Sequence, residues 1–557
     1  EKLRKRLDTS WSGAFYREFF SRLDETPFAK LYADIPPRPN VPVNVMVGLE
    51  YLKAGNGWTD EELIDEFGYN SQVRYALGYR QLGEGDFELR TLYNFRERLS
   101  RYMQETGINL LDKAFEQVTD QQIKAYQIKT GKQRMDSTQI ASNIREMGRL
   151  QLLVEVLQRV HRMLTKKDQE MYVEPFAPFT QGHAGQYVYH LKGQDTNEHL
   201  QRIGELMQRL LVELQPGYSQ EPVYQVLERV FGEHFKEEGK VLKVKINKEL
   251  SASSLQSPDD LEATYRQKNK KTYKGYVANI TETCDPENKL QLVTKIQVSC
   301  NHTEDAELLV DALPNLKDRT GIDTLYTDGG YGSPDADLTL QEHLVEQIQT
   351  AIRGRIPSSE KLNLADFKIK QTESGKPTQI IICPQEQTVE VHASSQKKGC
   401  VAHFDGKVCE TCPFIEKCPV QRGKRDTRFH LHFTQNQVNM SQRRQRSMIH
   451  QKEGRNLRAA VEATVRQVKH PFPASKLPVR GHFRVTCMMI GSAMVANVSR
   501  IQRYLEAKNL LEIEQKKVQS ELQRPQKTPS VSFFDWLNWV WRGWNWNNLL
   551  STQSFGC

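Results

Sequence analysis

The sequence predicts an α/β protein: a mixed sheet, interrupted by two insertions, that follows an all-helical N-terminal segment. Three observations predict it. Apolar residues recur at helical spacing up to about residue 125. Short β-prone stretches then alternate with helical ones at 132–140, 271–299 and 323–352. The stretches between them differ in texture: 145–270 is helical, whereas 355–440 is irregular, β-leaning and cysteine-bearing.

At 557 residues the chain exceeds one hydrophobic core, and about two to four domains are expected. Apolar residues are 38% and charged residues 26%, the composition of an ordinary globular protein. No apolar run reaches the roughly 18 residues of a membrane span, and the start (Glu1-Lys2-Leu3-Arg4-Lys5-Arg6) is charged. A secretory signal and a membrane partner are therefore not expected. The absence of an initiator Met suggests a partial chain.

Within residues 1–125, Thr59-Asp60-Glu61-Glu62 is a capping box that opens a helix, with Gly68 as its stop. Residues 43–53, 71–77 and 90–103 are further helices. The last carries Arg90, Arg96, Arg98 and Arg101 around Leu92, Phe95 and Leu99, so its exposed side reads as basic: a DNA-reading helix or a solvated face. Residues 132–140 form a strand with Asp136 in its middle. Helices follow at 144–166, 197–213 and 222–238, then a hairpin over 271–281 and 290–299 turned by Asp285-Pro286-Glu287-Asn288. A helix at 304–316, a strand at 323–327, a helix at 336–346 and a short strand within 345–352 come next. Long helices return at 441–469 and 483–512.

Asp328 ends the alternating strand Asp323-Thr324-Leu325-Tyr326-Thr327. Gly329-Gly330 make a turn, and Ser333-Pro334-Asp335 supplies a helix cap, a first-turn proline and an acid. A carboxylate at a strand tip beside a glycine turn stands where open α/β sheets place their ligands; the plainer alternative is a turn cap. Glu462 lies on the 455–469 stretch. At helical spacing it shares an arc of about 80° with Arg455, Arg458, Arg466 and Lys469, beside an apolar arc of Leu457, Val461, Val465 and Val468. One acid among four bases suits a metal-binding carboxylate flanked by phosphate grips, although a salt-bridged surface has a similar look.

Phosphodiester cleavage needs an activated water and a stabilised leaving oxygen. Two Mg²⁺ or Mn²⁺ ions about 3.5–4 Å apart supply both, on a few carboxylates. Asp136 and Asp328 would share one ion, with Glu462 completing the second site. Spacing alone does not single out these three among 69 acids. The net charge of +8 is modest, but Lys and Arg gather at 266–274, 422–428 and 443–446, either as solvated faces or as contacts to a phosphate backbone.

These residues resemble the DDE transposases of bacterial insertion sequences, over nearly the whole chain to about residue 510. Met135-Asp136-Ser137-Thr138 is similar to the segment around that family's first aspartate, and Tyr326-Thr327-Asp328-Gly329-Gly330-Tyr331 to that around the second. Arg458, Glu462 and Lys469 match its tyrosine-arginine-glutamate-lysine motif, with Arg455 at the tyrosine position. Residues 36–101, from Pro36-Pro37-Arg38-Pro39, resemble the attached helical N-terminal domain. The resemblance implies a ribonuclease-H-like catalytic core and binding of terminal inverted repeats and target DNA. It implies cutting that frees a 3′-hydroxyl, and direct strand transfer by that hydroxyl. It also implies a homodimer in a synaptic complex, a bacterial cytoplasmic, nucleoid-associated location, and Arg458 and Lys469 on DNA phosphates beside Arg455 and Arg466. Two alternatives stand beside this reading: an inactive transposase-derived DNA-binding protein, and a nuclease on the same fold that lacks strand transfer.

The domains expected are 1–125, helical, for DNA binding and dimerisation; 126–144 with 271–354, the first part of the core; and 145–270, the helical insertion. They continue with 355–440, the cysteine-bearing insertion; 441–512, the core helices with Glu462; and 513–557, a Trp-rich tail. Of nine cysteines, Cys400, Cys409, Cys412 and Cys418 are separated by eight, two and five residues. They are a candidate structural Zn²⁺ set, with His403 as a substitute ligand and reduced thiols as the alternative. The tail gathers Trp536, Trp539, Trp541, Trp544 and Trp546 behind Phe533 and Phe534, for stacking, for a partner, or as a loose end.

Overall fold

The computed structural model describes the chain except residues 33–40, 82, 190, 192, 240, 269, 351, 353–357, 359, 372–378, 395–398, 425–426, 453–455, 523–532 and 543–557. The Pro36–Pro39 motif, Arg455, Trp544 and Trp546 lie outside the described residues. Residues 1–502 form one unit and 503–557 a second.

The first unit begins with α1 (Lys2–Thr9) and α2 (Trp11–Glu18), followed by α3 (Val43–Asn56), α4 (Asp60–Tyr69), α5 (Ser71–Ala76), α6 (Leu89–Thr106) and α7 (Leu110–Ala125). Side-chain caps set several starts. Thr59 and Glu62 close the expected capping box on α4, Asn70 caps α5 and Asn109 caps α7. Gly68 does not stop α4, which runs on to Tyr69 because Asn70, extended and already capping α5, ends it. The basic side of α6 is also not free. Arg96 turns inward to Glu50 (2.6 Å) and Asp60 (2.8 Å), Arg98 lies over the Tyr32 ring, and Arg101 pairs with Glu97.

The sheet begins with β1 (Lys132–Ile140). A helical excursion follows: α8 (Arg149–Met163), α9 (Lys166–Met171), α10 (Val173–Thr180), α11 (Ala184–Tyr189), α12 (Thr196–Tyr218) and α13 (Pro222–His234). It ends in the hairpin β2 (Phe235–Glu238) and β3 (Val241–Val244). Leu153, Leu157, Ile203, Met207 and Leu227 centre a core of its own. The chain returns to the sheet with β4 (Thr264–Lys268), β5 (Lys271–Thr283), β6 (Val293–Cys300), α14 (Asp305–Thr320), β7 (Thr324–Thr327), α15 (Pro334–Glu342) and β8 (Glu346–Gln349). The strand order is β4-β5-β1-β7-β8, with β6 also on β5. β5 is antiparallel to β1, β4 and β6, whereas β1, β7 and β8 are mutually parallel. The mixed α/β sheet expected from the sequence is therefore present. Its β5–β6 turn uses the expected residues, with Asp285 accepting the Glu287 N–H.

Residues 355–440, read from sequence as irregular, contain an ordered antiparallel sheet. Its strands are β9 (Lys368–Gln371), β10 (Gln379–Ile382), β11 (Thr388–Ala393) and β12 (Cys400–Phe404). After α16 (Gly406–Glu410) come β13 (Gln421–Arg422) and β14 (Phe429–Phe433). The order is β13-β14-β12-β11-β10-β9, over a core of Phe367, Ile381, Phe404 and Leu431. The short strands hide in sequence because turns and polar outward faces dilute their apolar alternation.

The single helix expected over 441–469 is two. α17 (Gln435–Lys452) ends first, residues 457–460 turn, and α18 (Val461–Lys469) begins anew. Asn456 accepts the Arg458 N–H on its side chain, and the Val461 N–H goes to the Arg458 carbonyl instead of to Leu457. α19 (His482–Leu522) follows and reaches into the second unit, which also holds α20 (Phe533–Arg542) with Phe533, Phe534, Trp536 and Trp539 exposed. Among the described residues no helix is long and apolar enough to cross a membrane.

Candidate active site

Alternation along β1 builds the site. Arg134, Asp136 and Thr138 face one side of the sheet, Met135 and Ser137 the other. The first side is covered by residues 457–469. Arg134 Nη1 donates to the Leu457 carbonyl (2.7 Å), Arg458 Nη2 to Asp136 Oδ1 (3.1 Å), and Lys469 Nζ to Thr138 Oγ1 (2.9 Å). On the second side Met135 packs against α14 and α15, and Ser137 donates to the buried Asp305 (2.7 Å).

Asp328 reaches the same place from β7. Arg134 stands opposite Tyr326 in the parallel pair, and Asp136 and Asp328 each lie two residues further on. The two carboxylates occupy neighbouring positions, Asp136 within β1 and Asp328 one residue past β7. Burial pushes the Asp136 carboxyl above its ordinary range; Arg458 draws it back, and the charge of Asp328 pushes it up again. Asp328 also accepts the Gly330 N–H (2.7 Å), so it caps its turn as well as facing Asp136. The turn's Tyr331 is fully buried and donates to Asn279 (2.7 Å); burial raises its hydroxyl, and Asp305, Asp136 and Asp328 raise it further.

α18 is held by a buried acid that sequence reasoning missed. Glu282, opposite Arg134 on β5, is fully buried. It pairs with Arg134 Nε (2.7 Å) and Arg500 Nη1 (2.7 Å) and accepts the Thr464 hydroxyl (2.6 Å). Sheet, α18 and α19 are thereby tied at one carboxylate. The period-2 spacing of Arg134 and Asp136 marks them as sharing a face; nothing local points to Glu282, Arg500 or Asp305.

The remaining candidates fall as follows. Lys469 is held among β1 groups and its ammonium is lowered by burial, then by Lys271. Arg466 lines a separate cleft with Ala463, Gln467 and His470. Glu462 is exposed in the first turn of α18. Among the described residues no three or more His, Cys, Asp or Glu side chains are gathered so as to hold a metal ion. The Asp136–Asp328 pair suits one shared hard cation, since two carboxylates push on each other there and oxygen is what such ions take. The expected set of three with Glu462 is not drawn together. In the cysteine-bearing insertion Cys400 sits within β12 opposite Phe433, and the His403 ring contacts His430 at 2.6 Å.

Comparison with known proteins adds two matches. Residues 382–502 match a family described as a transposase DDE domain, and residues 4–98 a family described as a transposase domain (DUF772). The first stretch contains Glu462, Arg458 and Lys469 but neither Asp136 nor Asp328. No curated protein and no solved structure matches the chain.

Proposed function

From the premise that this chain is a DDE transposase of the insertion-sequence type, as its two matched stretches support, we propose that it cuts the ends of its element and joins the freed 3′-hydroxyl to target DNA. The observation that carries this reading is the placement of Asp136, mid-strand in β1, beside Asp328, just past the end of the parallel neighbour β7, beneath the segment that bears Arg458 and Lys469. The strand order β6-β5-β1-β7-β8, with only β5 antiparallel to both its neighbours, supports a ribonuclease-H-like core.

Enzymes of this family depend on divalent metal. Asp136 and Asp328 would hold it, and the ion would activate water and stabilise the leaving oxygen. Glu462, four residues after Arg458 and in the first turn of α18, is the acid we assign to complete the set. The protein's own groups do the rest. Arg458 screens the paired carboxylates and stands ready for a phosphate, and Lys469 sets a second positive charge along the same face of β1. The partners are terminal inverted repeats and target DNA, met by a homodimer.

Asp328→Ala tests the assignment. Cleavage of end-containing DNA should fall by at least about a hundredfold while end binding stays within about threefold, by the logic that separates positioning contacts from transition-state chemistry. A mutant that still cuts would refute the role. One observation favours a second reading, a DNA-binding derivative that cannot cut: Glu462 stands outside the acid pair. Divalent-metal-dependent cleavage by the wild-type chain decides between them.

A further inference from the structure

A second cluster lies in the 355–440 insertion, and it differs from the set the spacing suggested. Cys383 comes from the β10–β11 turn, Cys409 and Cys412 from α16 and its end, and Cys418 from the loop before β13. All four line one small cavity of about 20 Å³ over Phe367 and Phe404. Cys400 is absent from it, held in β12 between Ala393 and Phe433.

We propose that Cys383, Cys409, Cys412 and Cys418 bind one structural Zn²⁺ that fastens the β10–β11 turn to the α16 loop. Four cysteines line this one-atom space with largely apolar neighbours, and four sulfurs are the donor type that selects zinc among hard and soft divalent ions. The backbone is shaped for it. The Cys412 N–H turns back to the Cys409 carbonyl (3.2 Å) and the Glu386 N–H to the Cys383 carbonyl (2.9 Å), two tight turns facing each other.

The sulfurs are not yet gathered as tightly as a bound ion requires. Binding converts four thiols to thiolates, forms four Zn–S bonds and releases four protons to solvent, leaving a net charge of −2 on the complex.

The test uses the full chain and no DNA, so it stands or falls apart from the transposase reading. Metal content of the purified protein should be about one zinc per chain. Cys383→Ser should lower it about tenfold or more, and Cys400→Ser should leave it unchanged. If Cys383→Ser does not fold, chelation of the folded wild-type chain should release zinc and expose four additional titratable thiols. A wild-type chain without zinc would overturn the proposal, as would disulfides among these four, or zinc lost from Cys400→Ser yet kept by Cys383→Ser.

Discussion

Glu282 shares one buried carboxylate among Arg134, Arg500 and Thr464, and the consequence is testable at the scale of a single atom. Glu282→Gln keeps the shape and removes the charge, leaving two largely buried guanidiniums without their counter-ion. Removing one partner of such a set costs about 3–5 kcal/mol, because the remaining charges stay out of water. The denaturant midpoint should fall accordingly. The turn at 457–460 should loosen too, since Arg134 bridges Glu282 to the Leu457 carbonyl beside Arg458. An unchanged midpoint would mean that the three contacts are not coupled. The same logic explains why Arg458 and Asp136 pair where an ion is expected: a half-buried carboxylate beside Asp328 takes the nearest cation available.

At the scale of elements, the helical insertion carries its own pH sensitivity. His234 ends α13 in the core formed by α8, α12 and α13, and both ring nitrogens lack a hydrogen-bond partner. Burial pushes its pKa from the ordinary 6.5 down to about 4, and the charges of Arg149 and Lys245 push the same way. The unfolded chain therefore binds a proton between those values where the folded chain does not. Stability is fully present above pH 6.5 and is lost as pH falls toward 4, by on the order of 3 kcal/mol. His234→Leu should flatten this dependence, read as the thermal midpoint of the insertion across that window. A wild-type midpoint constant over the window would contradict it.

At the scale of the molecule, the N-terminal helices do not have a core to themselves. Phe15, Leu49 and Phe115 share one cluster with Ile280 and Val293 of the sheet and Met489 and Ile490 of α19. Glu116 of α7 is paired with Lys295 of β6 (3.1 Å) and Arg319 of α14 (3.4 Å), which also holds Asp120 (2.7 Å). A chain beginning at residue 126 would expose that sheet face and leave Lys295 and Arg319 unpaired. Large exposed apolar patches drive association. Such a truncation should be insoluble or lack cooperative unfolding, and recovery of a cooperatively folding fragment would show that the shared core is dispensable.

Local chemistry made part of this legible. Thr59 with Glu62, Asp285 with Asn288, and Ser333 with Pro334 act within three residues of themselves, so caps and turns could be read directly. The strand with Asp136 at its centre and the strand tip at Asp328 followed from alternation over a few positions. Only the tertiary structure decided which groups meet. Arg458 reaches Asp136 across 322 positions, Arg500 reaches Glu282 across 218, and Cys383 rather than Cys400 joins the cysteine cavity. The break before α18 belongs here too, because Arg134 takes the carbonyl that a continuous helix would have used. The physical reason is the same in each case. Propensity and capping act over a turn or two, whereas contacts between distant segments leave no period in the sequence and are selected by burial, charge pairing and packing of the whole chain.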